Sequence, residues 1–137
     1  MPEVIVLDTH VWLWLVNGNF DSIPSHWLAQ IELASRVGVC SVSCYEIALA
    51  HSRGRIELPG SAQEWFEGAF APVGIELLSI TPQIAGRAVD LAPIHKDPFD
   101  RLIIATTLVH DAKLASVDGL IFRYPELADR IMKRSNQ

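Results

Sequence analysis

The chain has 137 residues, 50% of them apolar and 20% charged, with 16 Asp and Glu against 11 Lys and Arg and a formal net charge of -5. At this length a soluble chain buries roughly two-thirds of the surface its unfolded form exposes, so a core forms without disulfides or a structural metal and disorder over most of the length is excluded. A net acidic chain also excludes grip on nucleic acid through a global basic face, since that mode works by releasing counterions from many phosphates. Any nucleic-acid contact has to be local.

Cys40 and Cys44 are too few for a disulfide framework and lack the spacing of a redox or zinc pair, which fits plain buried residues in a reducing cytoplasm. The opening MPEVIVLDTH has no cationic leader and its apolar run stops at Asp8, so it does not read as a signal peptide. Thr9 to Phe20 is uncharged but too short to span a bilayer, and no membrane segment is expected.

Val4 to Leu7 is a continuous run of β-branched and apolar residues, the mark of a strand buried on both faces in a parallel sheet. A helix is predicted from Thr9 to Val16, closed by Asn17-Gly18-Asn19. Pro24 or Ser25 opens a second, with Trp27, Leu28, Ile31 and Ala34 at helical spacing and Gly38 as its end. Val39 to Val42 reads as a strand. Ser43 and Glu46 form the Ser-x-x-Glu pattern of a capping box, predicting a helix to about Ser52. The Leu58-Pro59-Gly60 corner leads to a second such box, Ser61 and Glu64, whose helix turns Trp65, Phe66, Ala69 and Phe70 to the core and stops at Pro72 and Gly74.

Ile75 to Ile80 is the third predicted strand, and Thr81-Pro82 caps a helix through about Leu91. Pro93 to Asp97 is a loop, and Pro98 starts an apolar helix to about His110. Lys113 to Val117 is the fourth strand, ending on the Asp118-Gly119 turn signal. Glu126 to Lys133 reads as a last helix, with Arg134 to Gln137 as a frayed tail. Strands alternate with helices and no repeat or linker interrupts them, which predicts one domain over residues 1–137, a three-layer α/β fold with a mainly parallel sheet.

Ligands in such folds sit beyond the carboxyl ends of the strands. Asp8 ends the first predicted strand and Asp118 ends the fourth; Glu46 follows the second; Asp97 and Asp100 bracket Pro98 before the fourth. Each has a local reading. Asp8 and Asp97 suit N-caps, Glu46 a capping box, Asp100 a first helical turn, and Asp118 an Asp-Gly turn. Five separate caps do not explain their placement on one rim. Like charges gathered in a cleft repel unless protons or cations compensate, and hard oxygen donors select Mg2+ or Mn2+.

At these residues the chain resembles the PIN domain family, in particular the VapC-type ribonuclease toxins of prokaryotic toxin-antitoxin pairs. The resemblance rests on VLDTHVWLW with Asp8, SVSCYEIA with Glu46, HKDPFDRLIIAT with Asp97 and Asp100, and LASVDG with Asp118, four segments in order along nearly the whole chain. It implies a three-layer α/β/α sandwich, a divalent-metal-dependent endoribonuclease, homodimerisation, and neutralisation by a small antitoxin. By position, Asp8, Glu46, Asp100 and Asp118 match the family's acidic quartet, and Asp97 belongs to the DPFDR pattern, where it assists or replaces Asp100 at a metal. The chain departs from related sequences at Tyr45, where Trp is common, and at Ser116, where Thr is common; Ser116 keeps a hydroxyl able to orient a carboxylate or a metal-bound water and is a candidate for substrate contact.

Such a site hydrolyses RNA with water activated by Mg2+ or Mn2+ and no covalent nucleophile. Thr9 is a candidate for contact with metal or substrate and equally for capping its helix, and Lys96 and Arg101 are candidates for contact with phosphate oxygens or for a merely solvated or ion-paired role, with Arg53 and Arg55 at the rim. None of the five histidines has metal-ligand spacing; His95 is placed closest to the acids. The tryptophans suit the core or a partner surface better than base stacking. The competing reading is a non-catalytic module whose acidic pocket receives basic side chains of a partner. An aspartyl-nucleophile phosphatase is excluded, because His10 stands where its second Asp is needed. With the five acids set apart, 11 others face 11 Lys and Arg, so the charge surplus belongs to the rim.

Overall fold

The fold is described by a computed structural model over residues 3–134. Four parallel strands, β1 (Val4–Leu7), β2 (Arg36–Cys40), β3 (Glu76–Leu78) and β4 (Lys113–Ala115), form one sheet in the order β3-β2-β1-β4. Register is set by Val6 opposite Gly38 and Leu114, and by Val39 opposite Leu77. Six α-helices accompany them: α1 (Thr9–Asn17), α2 (Ser25–Leu33), α3 (Val42–Ser52), α4 (Ala62–Gly68), α5 (Pro82–Asp90) and α6 (Pro98–Val109).

The two faces of β1 explain the layering. Ile5 and Leu7 pack with Val11, Trp12, Trp27, Ile31 and Trp65 of α1, α2 and α4, while Val6 packs with Ile103 and Ile104 of α6 and with Tyr124 and Leu127. Each strand residue is committed to one of two cores, which is why the run is apolar throughout. The buried indoles all find acceptors: Trp12 Nε1 donates to the Ala69 carbonyl at 2.9 Å, Trp27 Nε1 to the Lys133 carbonyl at 2.7 Å, and Trp65 Nε1 to Asn17 Oδ1 at 2.8 Å.

Several elements differ from the sequence reading. Helix α2 ends at Leu33, because Ala34 turns extended and Ser35 and Arg36 donate to the Glu3 carbonyl to enter β2. Gly38 is therefore inside a strand and stops no helix. The expected strand Val39–Val42 is Arg36–Cys40, and α3 starts at Val42 rather than behind a Ser43 cap. The third and fourth strands are shorter than expected, three residues each. No α-helix forms over Glu126–Lys133: a 3-10 turn spans Pro125–Leu127, and Leu114 exchanges backbone hydrogen bonds with Arg130 and Met132 as Ile131 bridges to it. The chain there covers the outer edge of β4, where an uncovered strand would expose unpaired backbone groups. Of the expected tail, Arg134 is exposed and residues 135–137 lie outside the described residues. No helix of the described residues is long and apolar enough to cross a membrane.

Candidate active site

The carboxyl ends of β1 and β4 lie side by side and are tied by Asp8 N–H donating to the Ala115 carbonyl at 3.0 Å. Asp8 leaves the strand in an extended conformation and caps α1, its Oδ1 accepting from Thr9 N–H at 2.8 Å. Its Oδ2 accepts from the Ser116 hydroxyl at 2.7 Å, and Ser116 Oγ in turn accepts from Asp118 N–H at 3.2 Å. Capping and site-building are thus one arrangement for Asp8. Asp118 closes its own turn, with Oδ1 accepting from Leu120 N–H at 2.9 Å.

Glu46 is carried by α3 and its carboxylate makes no box with Ser43. Thr9 Oγ1 donates to Glu46 Oε1 at 2.6 Å, and since Thr9 has only one hydroxyl proton, Ser43 Oγ donates to Thr9 Oγ1 at 2.8 Å. Thr9 and Ser43 are buried, so Thr9, expected at metal or substrate, spends its hydroxyl on holding Glu46. Asp97 caps α6 with Oδ1 accepting from Phe99 N–H at 2.9 Å, and Asp100 follows in the first turn. His95 Nε2 stands 3.0 Å from Asp100 Oδ2, and His95 Nδ1 accepts from Asp97 N–H at 3.2 Å.

A cleft of about 280 Å³ opens here, lined by all five acids together with His10, Trp14, His95 and Val117. His10 and Trp14 were not read as cleft residues from the sequence. Their i, i+4 spacing from the strand end was a usable signal, since it stacks them on one face of α1 (ring centroids 6.0 Å apart). Within the cleft the closest grouping is His95, Asp97 and Asp100, whose ligand atoms lie within 4.8 Å of one another. Asp8, Glu46 and Asp118 line the same cleft and join no equally close group among the described residues.

The electrostatics fit a cation. Among the described residues none of the five acids pairs with Lys or Arg. Burial, followed by the charges of Asp8, Asp97, Asp118 and Glu46, pushes the Asp100 carboxyl up to about 8. Burial also raises Asp8 against the hydrogen bonds from Ser116 and Thr9, and raises Glu46 against the bond from Thr9. Protein donors engage one oxygen each of Glu46, Asp97 and Asp118, and Asp100 Oδ2 faces His95 Nε2 at 3.0 Å, leaving lone pairs for a hard cation. A larger groove of about 640 Å³ at the opposite end of the sheet is different in kind: its Glu3 pairs with Lys113 and its Asp111 with Arg130.

Arg101 does not meet the expectation of a phosphate contact. Its guanidinium donates to the carbonyls of Ala88, Val89, Leu91, Ala92 and His95 and to Tyr124 Oη, joining the end of α5 to the loop before α6. Lys96 is exposed beside the acids. Trp12, Trp27 and Trp65 fill the core as expected, and Trp14 alone reaches the cleft.

The PIN domain profile matches residues 5–127. The chain belongs to the PIN domain family. This PIN domain is 30% identical over 115 residues to Ribonuclease VapC22 of Mycobacterium tuberculosis, an alignment covering 83% of this chain and 86% of that one. Its fold is similar to that of VapBC2 from Rickettsia felis bound to a DNA fragment from its promoter, with a TM-score of 0.68 and 15% identity over 94% of this chain and 97% of that one. It is also similar to a toxin-antitoxin complex from Klebsiella pneumoniae, with a TM-score of 0.60 and 17% identity over 96% of this chain and 98% of that one. The last two likenesses establish the fold: a parallel sheet flanked by helices, as in other PIN domains.

Proposed function

We propose that this PIN domain is the ribonuclease toxin of a toxin-antitoxin pair, an endoribonuclease that hydrolyses RNA phosphodiester bonds with Mg2+ or Mn2+. The observation that carries the reading is one cleft lined by five carboxylates without a Lys or Arg partner among the described residues, in a chain 30% identical to Ribonuclease VapC22. Asp8, Glu46, Asp100 and Asp118 are the proposed catalytic acids, and with Asp97 they would hold the cation. When bound, a divalent cation supplies Lewis acidity, polarising the phosphodiester and making water a stronger nucleophile at neutral pH.

The residues of the chain do the positioning. Ser116 and Thr9 N–H hold both oxygens of Asp8, and Thr9 Oγ1 holds Glu46 Oε1. No Ser, Thr or Cys is among the residues lining the cleft, which fits direct attack by water. Lys96, exposed and next in sequence to Asp97, would be the residue to meet a phosphate. The same reading implies a small antitoxin, a homodimer and a cytoplasmic location, and the exposed Leu33, Leu77 and Val89 supply apolar surface for such contacts.

Purified protein incubated with RNA should cleave it in Mg2+ or Mn2+ and stop on addition of EDTA, and Asp8→Asn should be inactive while remaining folded. Cleavage insensitive to EDTA, or full activity in Asp8→Asn, rules the reading out. Expression with and without the neighbouring open reading frame tests the toxin role: growth arrest relieved by the neighbour is expected.

A further inference from the structure

His95, Asp97 and Asp100 bring their ligand atoms within 4.8 Å of one another, which at first sight offers a cation one imidazole and two carboxylates. We infer instead that His95 is a positioning residue, a neutral imidazole whose Nε2–H holds the Asp100 carboxylate in place and which gives no nitrogen to the cation. The inference rests on the proposed role of Asp100 as a metal ligand.

One hydrogen bond decides which nitrogen carries the proton. A neutral imidazole has one donor nitrogen and one acceptor nitrogen. The Asp97 backbone N–H can only donate, and it meets His95 Nδ1 at 3.2 Å, so Nδ1 is the acceptor and its lone pair is taken. The ring proton is then on Nε2, 3.0 Å from Asp100 Oδ2. Nδ1 is spent on the backbone, and Nε2 faces the carboxylate.

The backbone of His95 is anchored as firmly as its ring. Its N–H donates to Tyr124 Oη at 2.9 Å, and its carbonyl accepts from Arg101 Nη1 at 3.2 Å. Arg101 directly follows Asp100 in α6, so one helical turn carries both the carboxylate and the clamp on the loop that orients it. A neutral donor suits this task. Asp100 faces four like charges that favour its turning away, and a Lys or Arg in place of His95 would form an ion pair that an arriving cation has to displace. The imidazole fixes orientation and leaves the negative charge for the metal.

Two measurements test this. Nitrogen-15 NMR of the histidine rings in the metal-free protein should show His95 with a protonated Nε2 and a bare Nδ1; the opposite tautomer overturns the inference. Calorimetric titration with Mg2+ alone, beside RNA cleavage kinetics, then compares two variants whose folding is checked by circular dichroism. In His95→Asn the side chain can still accept from Asp97 N–H but is too short to reach Asp100. In His95→Gln a terminal amide can donate to Asp100. His95→Asn should lose about tenfold to a hundredfold in Mg2+ affinity and in kcat with KM for RNA little changed, and His95→Gln should recover most of it. Unchanged Mg2+ affinity in His95→Asn, or His95→Gln as impaired as His95→Asn, overturns the inference. Failure of the unsubstituted protein to take up Mg2+ or Mn2+ overturns the metal reading instead, and the ring tautomer still tests His95 on its own.

Discussion

Ser116 shows how one hydroxyl can organise two strand ends. It is fully buried, gives its proton to Asp8 Oδ2 at 2.7 Å and takes the N–H of Asp118 at 3.2 Å. Charge-assisted bonds to buried carboxylates are worth about 1.5–3 kcal/mol. Ser116→Ala should therefore raise the Asp8 pKa further, lower the urea midpoint by a loss in that range, and reduce RNA cleavage by roughly tenfold to a hundredfold, as losses of partners behind metal ligands do. A variant as stable and active as the parent contradicts the assigned role. Much of this was legible at the residue scale, because Asp8 and Asp118 fall where apolar strand runs end and Ser116 lies two residues before the second acid. The commitments of Thr9 to Glu46 and of Arg101 to the carbonyls around Leu91 were not. They join residues far apart in sequence or turn a side chain away from its neighbours, and no local spacing encodes either.

At the scale of elements, two agreeing signals fix a helix start. Pro98 behind Asp97 begins α6, and the Ser61 and Glu64 box forms in full at the head of α4. A single signal misleads at Ser43: its Ser-x-x-Glu pattern is interior to α3, and the glutamate answers to Thr9. Gly38 resembles a helix stop because glycine punctuates helices, but its reason is packing within β2. A Cβ built there would lie 2.7 Å and 2.8 Å from the Leu78 side chain and 3.1 Å from the Glu76 carbonyl oxygen on β3. Leu78 is buried and paired opposite Cys40, so it has little room to retreat. Gly38→Ala should destabilise the domain by about 1–3 kcal/mol, the usual cost of overpacking, with cleavage by the folded fraction preserved. Adding Leu78→Ala should recover part of the contact penalty, visible as non-additive denaturation midpoints. The final segment was unreadable for another reason: the apolar spacing of Leu127 and Ile131 suits a helix, yet the backbone is claimed by the open edge of β4.

At the scale of the molecule, the acidic cleft sets how stability responds to pH. Asp100 has an ordinary value of 3.8 and is pushed up to about 8 in the folded state. The folded chain therefore binds more protons than the unfolded chain between those limits. The contribution of Asp100 to stability is fully present below pH 4 and is lost as pH rises through about 8, the opposite of a salt-bridged carboxylate. Asp8 and Glu46, also raised, act with the same sign. The metal-free protein should thus melt at a lower temperature at pH 8.5 than at pH 6. Mg2+ competes with those protons, so its stabilising effect should be larger at the higher pH. At about a hundred times its dissociation constant it adds about 2.7 kcal/mol, a rise on the order of 10 °C for a chain of this length. Asp100→Asn removes one charge from the cluster without removing its volume. It should raise the metal-free melting temperature at pH 8.5, flatten the fall between pH 6 and 8.5, and remove most of the gain from Mg2+. Scanning calorimetry of both proteins at the two pH values, with and without Mg2+, checks all three. Equal melting temperatures of the metal-free parent at pH 6 and 8.5 would mean that the cluster is relieved by something other than protons, and the repulsion argument for a cation would fall with it.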